Sequence, residues 1–347
     1  MDKEFKNYNS TDVLNIAIEH GVAAVLARVI ETNQSQKSFF KDLTNFQLHQ
    51  NLRNQLIDQQ YYPTLIKLSE AGIHFVVLKG YALSHTVYPT PLLRTKADVD
   101  IIIRIDDKDA VINAFKTMGF SNPRGWNPTA IINQFSMRKT LSPGVNVDFD
   151  IHLRLSNERG VENIITFDEL LKAADTNTLQ NVPLVSKPYA LIHAIVHMLH
   201  HRNVGDTVKL IWLYDLLLLC QTMNPDEKQT FRKLIDKKGL TKLANFALNL
   251  ANSYFSDPSL VLTIEKLRDA SSNSELDYLI TIETRYQQFK RSFKQRESVL
   301  EKWMYIKEMA FPPAAEVYRK YGKKPAYYLP FLYIRRFIGG VIKHLSK

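Results

Sequence analysis

Asp98 and Asp100 stand two residues apart at the head of an apolar run, Asp98-Val99-Asp100-Ile101-Ile102-Ile103. A β-strand points alternate residues to the same side, so the two carboxylates project together. Held side by side they repel each other unless a cation lies between them. A hard, oxygen-loving ion such as Mg²⁺, bridged to the phosphates of a nucleotide, is the usual occupant of such a pair. Asp148, Asp150 and His152 share one face of a second strand by the same rule. If that strand lies beside the first, a third carboxylate joins the pair, and Asp148 and Asp150 both stand as candidates. Three carboxylates around divalent cations make a centre for phosphoryl or nucleotidyl transfer. The metal charge offsets a triphosphate and lowers the pKa of an attacking hydroxyl, and a carboxylate can take its proton. An Asp-x-Asp pair on its own reads as a turn cap or a solvated strand face, and the Asp-x-Asp-x-His pattern on the second strand tips the balance.

Lys79-Gly80 closes another short apolar run, at an expected strand-to-helix junction. A glycine there lets a phosphate approach the backbone, and the following helix offers free N–H groups. The full Gly-rich loop GxxxxGK[ST] is absent, so the dipeptide alone is also compatible with a plain tight turn. Further on, His193, His197, His200 and His201 precede Lys209 and Asp215. His193 and His197 stand one helical turn apart, a spacing that suits zinc, with Asp215 as the one further ligand in the vicinity. A histidine-bearing helix packed on the rest of the chain is the favoured reading, since no HExxH is present. Lys209 could instead bring a cation to the phosphates from this half of the chain.

The elements that would hold these residues alternate in type. Residues 11–70 read as helical, with Ser10 or Asp12 capping a helix through residues 15–31 and Thr44 starting another that runs to about Ser69. In the latter, Leu52, Leu56, Leu65 and Leu68 recur at helix spacing. A strand follows at 74–78, a helix near 81–87, a strand at 98–105 and a helix at 108–118 stopped by Gly119. Strands at 132–141 and 145–155 flank Ser142-Pro143-Gly144 as a hairpin turn. From about Thr166 strand signals give way to helical ones. The expected fold is α+β, with a small mixed sheet in a core of about 80 residues. It divides into an N-terminal helical segment at 1–70, a catalytic core at 71–165 and an α-helical C-terminal domain at 166–347.

The chain carries 45 Lys and Arg against 35 Asp and Glu, a net charge of +10, so its surface favours anionic ligands: nucleotides, nucleic acid or acidic lipid headgroups. The single cysteine, Cys220, excludes a disulfide framework or a cysteine zinc site and fits a reducing compartment. The polar, mixed-charge start has no secretory pattern, and no uninterrupted apolar stretch would span a bilayer; a cytoplasmic protein is expected. The C-terminal residues 327–347 are apolar but interrupted by Arg335 and Arg336. They read as a helix packed on the protein's own core, in preference to one lying in a membrane interface. Aromatic residues interleaved with Lys and Arg in this region could also stack bases and contact phosphates of RNA.

The order Lys79-Gly80, Tyr88-Pro89, Arg94, Asp98-x-Asp100 and an apolar strand resembles the nucleotidyltransferases of the polymerase-β superfamily. It is most similar to a branch of uncharacterised bacterial nucleotidyltransferases in which Lys-Gly replaces the widespread Gly-Ser motif. That branch also carries an Ala…His-Gly-apolar element, matched by Ala17, His20, Gly21 and Val22. Its later Asp-x-His is matched by Asp150 and His152, and its His…His helix followed by a helix ending in Asp by His193, His197 and Asp215. Phe311–Pro313, Tyr321-Gly322 and Tyr333 with Arg335 are a looser likeness. The resemblance implies a polymerase-β-like core flanked by the two helical parts. It implies that Asp98 and Asp100 are a metal-binding pair and that Asp150 is the third acid, metal ligand and general base. Lys79 and Gly80 would contact the triphosphate, with Arg94 and Lys209 as further positive charge. Asp148 competes for the role of third acid, and Leu153 follows His152 where the branch commonly has an aromatic residue.

The expected activity is Mg²⁺- or Mn²⁺-dependent transfer of a nucleoside monophosphate from an NTP, with ATP as the first choice of donor. The acceptor would be a hydroxyl on a protein, an RNA, a sugar or a small metabolite, and pyrophosphate would leave. Two other functions compete with it. One is a non-catalytic protein that keeps the fold and binds RNA or a partner; the other is phosphate-ester hydrolysis at His193, His197 and Asp215.

Overall fold

The computed structural model describes residues 9–31, 41–123, 132–267, 275–322 and 324–345. Three helices come first: α1 (Ser10–Glu19), α2 (Ala23–Glu31) and α3 (Lys41–Glu70). The continuous helix expected over 15–31 is broken after Glu19. Gly21 adopts φ +71, Val22 N–H bonds back to the Ala17 carbonyl, and Asn9, rather than Ser10 or Asp12, caps the start. The physical reason lies elsewhere in the chain. His20 Nδ1 accepts the Leu210 N–H at 3.2 Å and its carbonyl accepts the Ile211 N–H at 3.1 Å, so the break satisfies the start of a distant helix. Helix α3 runs its full 30 residues through Pro63. Its C-terminal half buries Tyr61, Leu65 and Leu68, whereas Leu52 and Leu56, one register of the expected stripe, are exposed.

The sheet holds four strands in the order β1-β2-β4-β3: β1 (Phe75–Leu78), β2 (Val99–Ile103), β3 (Gln134–Ser142) and β4 (Val145–His152). β1 pairs antiparallel with β2, β2 parallel with β4, and β3 antiparallel with β4 across the expected hairpin. The sheet is therefore mixed, as the alternating elements imply. Every residue of β1 and β2 is buried, because both faces of the sheet are covered. On one face Phe149 packs against Tyr61, Phe115 and Phe120, with ring centroids 5.4, 5.0 and 5.6 Å away. The other face carries Asp100, Asp150 and His152. Two connecting helices bracket β2: α4 (Lys79–Thr86) starts directly from β1, and α5 (Lys108–Thr117) ends at Gly119, φ +84.

Strand-type pairing does not end at residue 165. Val77 donates to the Pro183 carbonyl and accepts from Val185 N–H, so a short extended segment lines the outer edge of β1. The remainder is helical: α6 (Phe167–Lys172), α7 (Lys187–Asn203), α8 (Leu210–Thr222), α9 (Pro225–Lys237), α10 (Thr241–Phe255), α11 (Pro258–Glu265), α12 (Arg285–Lys294), α13 (Val299–Ala310), α14 (Ala314–Tyr321) and α15 (Leu329–Leu345). α7 packs against α4, α8, α9 and α10, and one hydrophobic core runs without a break from Ile57 to Leu279. Cys220 lies inside it, its thiol pushed up to about 12 by burial. α15 departs from the expected core-packed helix: Leu332 is buried, but Phe331, Ile334 and Ile338 are exposed. Among the described residues no helix is long and apolar enough to cross a membrane.

Gly21 offers a direct check on the tie between the two ends of the fold. A Cβ there would sit 3.1 Å from Ile211 Cγ2, and the positive φ itself disfavours a side chain. Gly21→Ala is expected to destabilise the protein by about 1–2 kcal/mol from the backbone alone, with crowding against Ile211 added. Urea denaturation measures it; an unchanged midpoint would mean that the His20-Gly21 break is not what holds α8.

Candidate active site

Lys79, the first residue of α4, is a non-glycine in the left-handed region at φ +49. That conformation costs about 1–2 kcal/mol, and it accompanies a contact across the sheet. Lys79 Nζ donates to Asp100 Oδ1 at 2.6 Å. His152 Nε2 lies 2.9 Å from the same oxygen, and as its N–H tautomer donates to it, leaving Nδ1 buried without a hydrogen-bond partner. Three segments thus meet on one carboxylate: the end of β1, the start of β2 and the end of β4. Burial alone would push the Asp100 pKa up, but Lys79 and His152 outweigh it and hold the carboxyl well below its usual range. Burial would likewise lower the Lys79 ammonium, and Asp100, with Asp98 and Asp150 behind it, holds it above its ordinary value instead.

The parallel register of β2 and β4 sets Asp150 opposite Asp100 and His152 opposite Ile102. Ser136 Oγ, across the hairpin, donates to Asp150 Oδ1 at 2.5 Å. Asp148 is differently engaged, because Arg138 grips it with two bonds of 2.6 and 3.0 Å. Asp98 lies immediately before β2. Burial, then the Asp100 and Asp150 carboxylates, push its carboxyl up to about 7. Burial is the largest cause of the rise, and the neighbouring carboxylates add to it against the opposing pull of Lys79. Asp98, Asp100 and Asp150 are thereby brought into one electrostatic neighbourhood.

A cavity open to solvent adjoins this cluster, between α4 and the α7–α8 pair. Lys79, Arg94, His193, His197, Trp212 and Asp215 are among its lining residues. Arg94 is clamped by Asp215: Nε to Oδ1 and Nη2 to Oδ2 are both 2.9 Å, and the Tyr88 hydroxyl adds a bond to Oδ1 at 2.6 Å. Gly80 presents its open side to Arg94, since a Cβ there would meet the guanidinium and Lys96 at 3.6 Å. Lys209 caps the start of α8 with its ammonium 5.8 Å from the Trp212 ring. His193 is driven down to about 3 by burial, with Lys79 and His152 adding to it, and His197 is lowered well below its ordinary value. Both are therefore neutral at physiological pH. On their far side lies an apolar cavity of about 360 Å³ lined by Leu155, Val161, Ile164, Ile192 and Val196.

The described residues contain no group of three or more Asp, Glu, His or Cys side chains that would by themselves hold a metal ion. Asp215, the ligand the histidine reading required, is instead the partner of Arg94 and Tyr88. For the carboxylates the same observation is compatible with Mg²⁺, which is bound through one or two carboxylates plus substrate phosphates rather than in an all-protein cage. The hard oxygen donors of Asp98 and Asp150 fit such an ion. Sequence reasoning did not find the Tyr88–Arg94–Asp215 network or the place of Trp212 in the cavity. One signal was available: an aspartate inside Leu210–Cys220, an almost wholly apolar run, demands a buried cation.

A family model described as uncharacterised nucleotidyltransferase matches residues 7–256, well over half of the chain. The chain belongs to this family of uncharacterised nucleotidyltransferases. The matched span covers the sheet, the Lys79–Asp100–His152 contact and the cavity walls contributed by α7 and α8. No curated protein matches the sequence. Among solved structures, the chain is similar to an antigenic nucleotidyltransferase-like protein from Paracoccidioides brasiliensis, with 16% identity and a TM-score of 0.39 over 60% of this chain and 92% of that one.

Two outcomes are expected from this geometry. The native state retains the Asp98 proton between the ordinary carboxylate range and about 7, whereas the unfolded chain releases it. Stability therefore falls as pH rises through that window and is flat above it. Asp98→Asn removes the loss, so without divalent cations its melting temperature relative to wild type should climb between about pH 4 and about pH 7; parallel melting curves at all pH values would contradict the raised pKa. Asp215→Ala leaves the Arg94 guanidinium buried and unpaired, and chemical denaturation should record a loss of about 3–5 kcal/mol.

Proposed function

We propose that this nucleotidyltransferase-family protein is an active, metal-dependent enzyme that transfers a nucleoside monophosphate from an NTP, in the first instance ATP, to a hydroxyl-bearing acceptor. The observation that carries the reading is the register that sets Asp150 on β4 opposite Asp100 on the neighbouring β2, with Asp98 just before β2, at the edge of a cavity lined by Lys79 and Arg94. Family membership supports the transfer reaction and an NTP substrate.

In this reading Asp98 and Asp150, with Asp100 beside them, hold Mg²⁺ or Mn²⁺, which would neutralise the triphosphate and lower the pKa of the attacking hydroxyl. Lys79 is placed to turn from Asp100 to the phosphates, and Gly80 follows it beside Arg94. Arg94 is held in place by Asp215 and Tyr88, so it would meet the leaving pyrophosphate without a reorganisation cost. Asp150 accepts the proton of the acceptor hydroxyl as its oxygen attacks the α-phosphorus and the bond to pyrophosphate breaks. Trp212 offers an aromatic face to the base, and neutral His193 and His197 wall the cavity without adding charge. Lys209, beside Trp212, adds long-range attraction for the anion.

The test is pyrophosphate release, together with mass spectrometry for a nucleotide adduct on the protein or on added acceptors. Asp98→Asn, Asp100→Asn and Asp150→Asn should each lower transfer by about 100-fold or more, while Asp148→Asn should retain most of it. Transfer that is indifferent to all three acids would sink the enzyme reading. Metal-independent binding of RNA with no turnover would favour the non-catalytic alternative.

A further inference from the structure

The C-terminal helices carry a surface that the proposed reaction does not use and that lies beyond the matched residues 7–256. α13 exposes Val299, Leu300, Trp303 and Ile306, with Val299 84% accessible. α15 exposes Phe331, Ile334 and Ile338, the first two 66% and 57% accessible. Residues 331, 334 and 338 fall within one helical face, since i, i+3 and i+7 lie above one another, and exposed Arg335 borders them. The opposite side of α15 is the one that holds it to the protein. Leu332 is buried, the Tyr333 hydroxyl donates to the Pro312 carbonyl at 2.6 Å, and Arg336 Nη1 donates to the Met309 carbonyl at 2.6 Å. The end of α13 and the middle of α15 are thereby tied together, with their apolar residues left uncovered.

Charge identifies what covers them. Residues 317–347 contain eight Lys and Arg and no Asp or Glu. We infer that this surface docks the protein on an anionic lipid bilayer, with α15 lying in the interface rather than crossing it. At 17 residues, broken by Arg335 and Arg336, α15 is too short and too charged to span. An interfacial helix needs an apolar face beside basic residues, and aromatic side chains suit the headgroup level; Tyr327, Tyr328 and Trp303 are all exposed here. RNA would satisfy the basic residues but would leave Val299, Leu300, Ile334 and Ile338 in water. A second copy of the chain would set one basic 317–347 segment against another, a like-charge contact that opposes association; α13, with Lys302 and Lys307 against Glu301 and Glu308, adds no net charge to offset it.

The experiment is flotation of the full-length protein with vesicles of phosphatidylcholine alone or with an equal share of phosphatidylglycerol. The protein should float with the anionic vesicles, stay behind with the neutral ones, and be released by salt. Phe331→Ser/Ile334→Ser/Ile338→Ser, which alters only exposed positions, should abolish flotation. Lys324→Gln/Arg335→Gln should weaken it about 25-fold, at about fivefold per charge. Circular dichroism and nucleotide binding, unchanged in both variants, would exclude misfolding. The proposal is overturned by absence of flotation at low salt, or by flotation that survives the triple substitution, which would be adhesion of a basic protein alone. It is equally overturned if the triple substitution abolishes self-association or RNA binding in a protein that ignores vesicles.

Discussion

A carboxylate buried in a sheet has to be neutralised, and the way Asp100 is neutralised organises the sheet-bearing half of this protein. Its cation comes from the residue that follows β1 and its second donor from the residue that ends β4. Residues 79, 100 and 152 can meet only if β2 lies between those two strands, which is the observed order. The contact also accounts for the unusual backbone at Lys79, whose left-handed conformation returns its ammonium toward the sheet instead of sending it along α4. Its positive charge then reaches further, adding to burial in keeping His193 and His197 neutral across the cavity.

A second buried acid performs the same service between the halves. Asp215 sits in the apolar body of α8 and is answered by Tyr88 and Arg94 from the segment between α4 and β2. Helix α8 is also capped by His20 from the N-terminal helices. The two acids therefore do different work from similar burial. Asp215 is fully paired and fixes Arg94, whereas the Asp98–Asp100–Asp150 group has more negative charge than Lys79 offsets. Arg94 and Asp215 offset each other on one wall, and the acids on the other carry the surplus negative charge.

The sequence is most legible where one residue acts on its near neighbours. Alternation in 98–103 and 145–152, the Ser142-Pro143-Gly144 turn and the stop at Gly119 are local effects, and the strands and the hairpin follow from them. The Asp98/Asp100 spacing and the shared face of Asp148, Asp150 and His152 are of the same kind. What escaped depends on contacts across long separations. Nothing near Gly21 announces that the helix must open there to cap residues 190 positions away. Leu52 and Leu56 have the spacing of a buried stripe, but no element arrives to cover them. Arg94 has the type and place of a phosphate ligand, and only the tertiary fold reveals that Asp215 holds it first. That Asp150 lies opposite Asp100, while Arg138 holds Asp148, likewise follows from the register and not from the shared face.

Charge arithmetic at the carboxylates then constrains how a nucleotide can enter. Asp98, Asp100 and Asp150 face Lys79 as their near cation, while Arg138 is spent on Asp148 and Arg94 on Asp215. A triphosphate arriving alone would add several negative charges to a cluster that already raises the pKa of Asp98. On the proposed reading Asp98 and Asp150 would hold divalent ions whose charge would offset the phosphates and leave Lys79 free to leave Asp100 for them. On the proposed reading, then, the acids need not converge in advance. On that reading the phosphates of the substrate would complete the ligand set that the carboxylates begin. The strained backbone at Lys79 is consistent with a side chain held for exchange between two anionic partners.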